Sequence, residues 1–228
     1  MQGSGTLVKG EGIDLTRAKN WWAQCQAEHG QGCQVPLKHR YPGREVAGHL
    51  LRLLDVNQKR VVAAPAGSSY VALSYVWPRT KNLFKAEQQH FQRPRTTPIM
   101  TPLRDDETAY FDVPMDRLPK TIQDAMRITH EIGEKYLWID ALCIIQDDMI
   151  DVQRTIYKMD EIYMAASLTI VMGDRKGAVL EGGRPNVHQI KEQLGDTTYV
   201  LPLPPISEAI NRSVWGSRGW TYQGEKSL

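Results

Sequence analysis

The sequence lacks four familiar active-site signatures. It has no Gly-x-Gly-x-x-Gly, no Walker loop, no Gly-x-Ser-x-Gly elbow and no His-Glu-x-x-His. These gaps argue against a Rossmann dehydrogenase, a P-loop NTPase, an α/β-hydrolase and a zincin. Cysteine is scarce and odd in number, with three in the chain, so a disulfide framework is not expected. A reducing compartment fits, and a cytoplasmic location is the expectation. Charge of one sign is also missing: 28 basic residues against 26 acidic ones leave +2. So small an excess gives no footprint for nucleic acid or for an anionic membrane. No apolar run approaches the ~20 residues that cross a bilayer, and Met1–Gly12 is Gly-rich without the apolar core of a signal peptide.

What remains is ordinary globular material. The 228 residues are 41% hydrophobic and 24% charged, enough for one large domain with an extension. Residues 1–12 read as a tail. From Asp14 to about His29, Leu15, Ala18, Trp22 and Cys25 recur at helical steps, and Gly30 and Gly32 end the run. Leu50–Val56 and Arg60–Ala64 flank Asn57-Gln58 and predict a hairpin, although that pair is only fair turn chemistry. Tyr70–Val76 reads as a strand. Residues 77–118 are proline-rich and weakly patterned, with one short helix expected near Asn82–Phe91.

Pro119 then opens a helix that Gly133 closes. Tyr136–Ile139 reads as a buried strand. Met149–Ala166 reads as one long helix, with Val152, Ile156, Met159, Ile162 and Tyr163 on a single face. Ser167–Met172 is a further buried strand, and Tyr199–Leu203 an edge strand, because Pro202 and Pro204 forbid a central place. Strand and helix alternate from Tyr70 to Met172. The expectation is therefore an α/β fold, a mainly parallel sheet flanked by helices with right-handed connections, preceded by an N-terminal helical and hairpin extension.

In such sheets ligands sit beyond the carboxyl ends of the strands. That rule selects Ser74-Tyr75-Val76-Trp77 and the segment Asp140 to Gln146. Each residue alone has a plainer role: Ser74 as a turn residue, Trp77 and Trp138 as core. Asp140, directly after Leu-Trp-Ile, must find donors or water. It is either an acceptor for the turn that follows or an acceptor for a ligand hydroxyl or an orienter of a cationic group. Cys25, His29 and Cys33 form Cys-x3-His-x3-Cys. Cys25 and His29 lie one helical turn apart and can face one zinc ion, but the paired second half of the usual zinc site is missing. Buried thiols and a surface histidine are the competing reading.

Three blocks stand out: Tyr70-Val71-Ala72-Leu73-Ser74-Tyr75-Val76-Trp77; the run from Leu118-Pro119 through Trp138–Gln146 to Met159–Ala166; and Ser217-Arg218-Gly219-Trp220-Thr221-Tyr222-Gln223. Together they resemble the fungal heterokaryon-incompatibility (HET) domain. Most specific is Tyr136-Leu137-Trp138-Ile139-Asp140-Ala141-Leu142-Cys143-Ile144-Ile145-Gln146-Asp147-Asp148. The resemblance implies residues 1–49 as tail and helical extension and 50–228 as the HET-like domain. It implies a role in the cell-death reaction that follows fusion of unlike fungal filaments. Through a distant likeness of that family to TIR domains, it also implies a TIR- or flavodoxin-like sheet and latent cleavage of NAD at the nicotinamide–ribose bond, with NAD as substrate and no resident cofactor. Ser74, Tyr75, Trp77, Asp140, Cys143, Gln146, Arg218 and Trp220 then become candidates for substrate binding. The rival implication is a non-enzymatic module that signals by self-association or through protein partners, or a decayed, truncated copy.

The chain departs from the family pattern at two places. Pro78 stands where Gly is usual. The last motif normally closes on Gln-Glu, whereas here Gln223 is followed by Gly224, and Glu225 comes one place late. A one-residue shift on a helix rotates a side chain by about 100°. Glu225 is thus the catalytic candidate one position out of register, and weak activity on NAD is expected. The ending Gly224–Leu228 is expected to be a gene-model artefact that truncates the domain.

Overall fold

The computed structural model describes residues 14–28, 45–46, 49–65, 67–77, 83–91, 109–172, 191–195 and 197–200, with single positions at 207, 208, 211, 213 and 216. The first helix, α1 (Leu15–Glu28), follows the predicted period. It packs on a later helix and sets Trp22 against the core. Two short strands, β1 (Glu45–Val46) and β2 (His49–Leu50), pair antiparallel.

The predicted hairpin forms as β3 (Arg52–Asp55) and β4 (Arg60–Ala63). Its turn does not rely on Asn57-Gln58 alone. The buried Asp55 carboxylate accepts from the backbone N–H groups of Asn57 and Gln58 at 3.0 Å each, and Lys135 pairs with its other oxygen. Lys59 takes a left-handed backbone, φ 55°, to complete the reversal.

Next come β5 (Val71–Tyr75), β6 (Ala109–Asp112) and α2 (Lys120–Glu131). The α2 C-terminus ends as its sequence predicts. Gly133 has φ +91°, and Glu134 N–H reaches back to the Thr129 carbonyl at 3.0 Å, which closes the last turn. Strand β7 (Tyr136–Trp138) leads into the single turn α3 (Asp140–Cys143). Then follow α4 (Met149–Tyr157), α5 (Met159–Ala165), β8 (Leu168–Met172) and a separate hairpin, β9 (Lys191–Leu194) with β10 (Thr197–Val200).

Six strands form one sheet in the order β6-β4-β3-β7-β5-β8. The three segments expected to neighbour one another do so: β5 lies between β7 and β8 and is parallel to both. The expectation of a mainly parallel sheet needs correction. The pairings β3–β4, β3–β7 and β4–β6 are antiparallel. The hairpin is no extension; β3 pairs edge to edge with β7, and the sheet is mixed. Two further expectations change. The helix over Met149–Ala166 breaks at Lys158 (φ −114°, ψ 11°), so Ile156 turns to solvent instead of sharing a face with Met159 and Ile162. The stretch 77–118 contains β6 and, near its predicted short helix, a 3-10 turn at Gln88–Phe91.

Strand alternation divides the core in two. Leu54, Val61, Val71, Leu73 and Leu137 pack with Ile122, Ala125 and Met126 of α2. Leu53, Tyr70, Ala72 and Trp138 pack with Met159 and Ile162 of α5. A sheet covered on both faces explains the near-continuous apolar runs of β5 and β7. Hydrogen bonds pin α5 in place: Tyr70 donates to the Ile162 carbonyl, and Tyr163 donates to the Leu73 carbonyl at 3.2 Å. Among the described residues, no helix is long and apolar enough to cross a membrane.

Candidate functional site

Because β5, β7 and β8 are parallel, their carboxyl ends open on one edge. The pairing of Val71 with Leu137 and of Ala72 with Trp138 brings the end of β5 level with the start of α3. Here lies a buried carboxylate, Asp140, 8% exposed. Its Oδ2 accepts from Trp77 Nε1 at 2.7 Å, and its Oδ1 accepts from Ala141 N–H at 2.7 Å. Gln146 folds back so that its Nε2 donates to the Asp140 carbonyl at 2.8 Å and to the Ile144 carbonyl at 3.3 Å. Both readings of Asp140 thus begin from the same fact: it closes its own turn and also ties β5 to α3.

The segment 83–91 is laced over this turn. Ala86 N–H donates to the Ala141 carbonyl at 2.9 Å, and Gln146 N–H donates to the Ala86 carbonyl at 2.8 Å. The Lys85 ammonium lies 5.1 Å from the Trp77 ring centroid, an attractive cation–π placement that covers the indole. On the opposite flank, Arg52 Nε donates to the Cys143 carbonyl at 2.7 Å while its guanidinium pairs with Asp151. Asp151 in turn accepts from Ile145 N–H at 2.8 Å, so one ion pair fixes both ends of the Cys143–Ile145 loop.

Three weak acids crowd Asp140. Burial, and then the Asp140 charge, hold the Tyr75 phenol well above its usual range. Burial, followed again by Asp140, raises Tyr163, against a smaller opposing hydrogen bond from Ser74. Burial pushes the Cys143 thiol up to about 12, although the Ile139 N–H and Arg52 act the other way. All three are therefore protonated at neutral pH, and none serves as base or nucleophile there. The Tyr75 hydroxyl is buried and makes no hydrogen bond. Asp140 is close enough to act on it as charge and as acceptor, but the geometry leaves the two unbonded.

The structure thus gathers Ser74, Tyr75, Trp77, Asp140, Cys143 and Gln146 at one sheet edge. Cys143 is sealed in the core, its Sγ accepting from Ile139 N–H at 3.4 Å, and it closes the strand–helix turn. Arg218, Trp220 and Glu225 lie outside the described residues, as do His29 and Cys33. Cys25 lies half-buried on α1. Among the described residues no cluster of His, Cys, Asp and Glu is arranged to hold a metal. Sequence reasoning had placed Tyr163 only on a helix face. It stacks edge-on against Trp138 at 5.5 Å and reaches Ser74 and Leu73. Lys85 and the Arg52–Asp151 pair carried no local signal at all.

A family model described as "Heterokaryon incompatibility protein (HET)" matches residues 70–224, more than half the chain. The chain belongs to the HET family. Comparison with curated proteins and with solved structures gave no significant match. The HET match runs from Tyr70 to Gly224, so it takes in every described element from β5 to β10. The hairpin β3–β4 lies upstream of it, yet completes the same sheet.

Proposed function

We propose that this HET protein acts in fungal non-self recognition as a cell-death effector, and that its site at the carboxyl edge of β5 and β7 takes NAD and cleaves the nicotinamide–ribose bond. The observation that carries this reading is Asp140. A buried carboxylate held by Trp77 where two parallel strands end is where sheets of this kind take up ligands. A carboxylate has about four lone-pair sites, and Trp77 and Ala141 use two of those on Asp140. Ribose hydroxyls take the place of Trp77 on Oδ2 once the half-buried indole yields. Tyr75 supplies an unspent hydroxyl donor beside it. The distant likeness of the family to TIR domains points to the same substrate by analogy of fold.

The bond broken joins ribose C1′ to a cationic pyridine nitrogen. Its electron pair goes to nicotinamide, which leaves neutral. The oxocarbenium-like sugar is then captured by water, which gives up one proton. Little acid catalysis is needed; the demand is for negative charge near the sugar. Glu225, one place late in the family motif, is the candidate for that role, with Arg218 and Trp220 binding the nucleotide. The test is nicotinamide release from NAD by the purified chain and by its Gly224→Glu variant. The chain as it stands should be slow. Restoring the carboxylate to its motif position should raise the rate by about two orders of magnitude. If neither protein releases nicotinamide faster than buffer, the NAD reading is wrong.

A further inference from the structure

Helix α4 turns an apolar face to solvent. Met149, Ile150, Ile156 and Tyr157 are 68, 61, 56 and 83% exposed. At about 100° per residue, these four flank Gln153 within a stripe roughly 120° wide. Asp151 and Thr155 fall on the opposite side, where Asp151 binds Arg52. Apolar patches of a few hundred Å² rimmed by polar residues mark interaction surfaces.

We propose that this stripe docks a second copy of the same chain, helix against helix and antiparallel, with the two-fold axis passing by Gln153. The stripe is symmetric about that residue: two apolar side chains lie three and four positions before it, and two lie three and four positions after it. An antiparallel mate therefore sets Tyr157 against Met149 and Ile156 against Ile150, each contact occurring twice. This is the self-complementarity that an isologous interface needs.

Charge supports the same occupant. Asp147 and Asp148 precede the helix, while Arg154 and Lys158 sit toward its end. Arg154 is exposed and has no ion pair among the described residues. Lys158 already pairs with Glu161 and Asp148 caps its own helix, so the electrostatic gain comes from the opposed helix dipoles, with Arg154 on the rim facing the mate's acidic end. Four side chains supply less than the roughly 800 Å² per partner of a standard interface, so the pairing is reversible and responds to local concentration. It requires no substrate and stands apart from the NAD reading.

Sedimentation velocity on the full chain from about 1 to about 500 μM tests it. A reversible monomer–dimer equilibrium is expected. The double substitution Ile156→Glu with Tyr157→Glu should weaken it at least ~10-fold, with the thermal transition unchanged because both positions are exposed. In a Cys25→Ser, Cys33→Ser background, Gln153→Cys should form a disulfide-linked dimer under mild oxidation, and Lys59→Cys should not. A chain that stays monomeric throughout overturns the proposal, whether another protein or nothing binds this face. So does a dimer that the double substitution leaves intact. Should that variant misfold, the absence of a Gln153→Cys cross-link in a chain that dimerises is equally decisive.

Discussion

Trp77 Nε1 donates to Asp140 Oδ2 at 2.7 Å across 63 residues of sequence. The bond joins a residue two places past β5 to the first residue after Ile139, so it holds two motif blocks in register at the edge where the parallel strands end. It is charge-assisted and part-buried, which makes it one of the stronger side-chain contacts available to the domain.

Removing either partner should therefore cost stability out of proportion to its size. Trp77→Phe keeps the ring and deletes the donor, and is expected to destabilise by about 1.5–3 kcal/mol. Asp140→Ala should cost at least as much, because the Ala141 N–H loses its acceptor too. Urea unfolding of both single variants and the double variant gives the coupling energy. A coupling near zero would show that the contact is incidental to the fold.

Stability should fall in alkali. Tyr75, Tyr163 and Cys143 are all raised in the folded chain, Cys143 to about 12. The folded state keeps protons that the unfolded chain releases, so stability declines as pH rises. The contribution is complete below about pH 7.5 and falls off through about pH 8.5, where an unfolded cysteine is half ionised. Loss begins with Cys143, and the tyrosines join above about pH 10. Each group adds a slope approaching ~1.4 kcal/mol per pH unit. Unfolding free energies at pH 7.5, 9 and 10.5 check this. Cys143→Ala should flatten the curve between the first two values. A wild-type curve that is level to pH 10.5 contradicts the burial of these groups.

The sequence read well where a face was the message. The periods of α1, α2 and the buried strands β5, β7 and β8 follow from one-sided or two-sided burial, which is written into local residue order. It read poorly where partners were the message. Nothing in Leu50–Ala64 says that β3 pairs with β7, because strand pairing depends on which edge is open when the chain collapses. Strand β6 was passed over because it is four residues long, pairs only with β4, and shifts register between Val61 and Val62. The break at Lys158 carries no Gly or Pro; it re-aims α5 so that Ile162 and Tyr163 reach the sheet. The place of Ser74, Tyr75, Asp140 and Gln146 at one sheet edge was legible because strand ends are. Lys85 was not, because its place over Trp77 comes from a segment with no periodic pattern.

Arg52 and Asp151 should behave as a buried pair. Both side chains are 11% exposed, and each has a second partner in the Cys143–Ile145 loop. Asp151→Ala strands a guanidinium and an Ile145 N–H, with an expected loss of about 3–5 kcal/mol. The paired change Arg52→Met with Asp151→Leu should cost clearly less, since it removes both charges together. Urea unfolding of the two variants decides. Equal losses would mean that packing, not charge pairing, holds the loop.

Tyr75 offers the sharpest separation of fold from function. Its ring fills the core beside Leu73 and Ile139, but its buried hydroxyl makes no hydrogen bond. A buried, unsatisfied donor destabilises the folded state by about 1–3 kcal/mol relative to a shape-matched apolar group. Tyr75→Phe should therefore be neutral or stabilising in thermal and urea unfolding. Tyr163→Phe is the control: it deletes a hydroxyl that does donate, to the Leu73 carbonyl, and should cost about 1 kcal/mol. If the Tyr75 hydroxyl is retained for a ligand, the same substitution that spares stability must weaken binding. NAD affinity measured by calorimetry on the Tyr75→Phe chain should then drop, by about 10-fold for one lost hydrogen bond, with Tyr163→Phe left unchanged. A Tyr75→Phe protein that is both less stable and unaltered in NAD binding would mean that the hydroxyl is bonded within the fold after all, and would remove Tyr75 from the site.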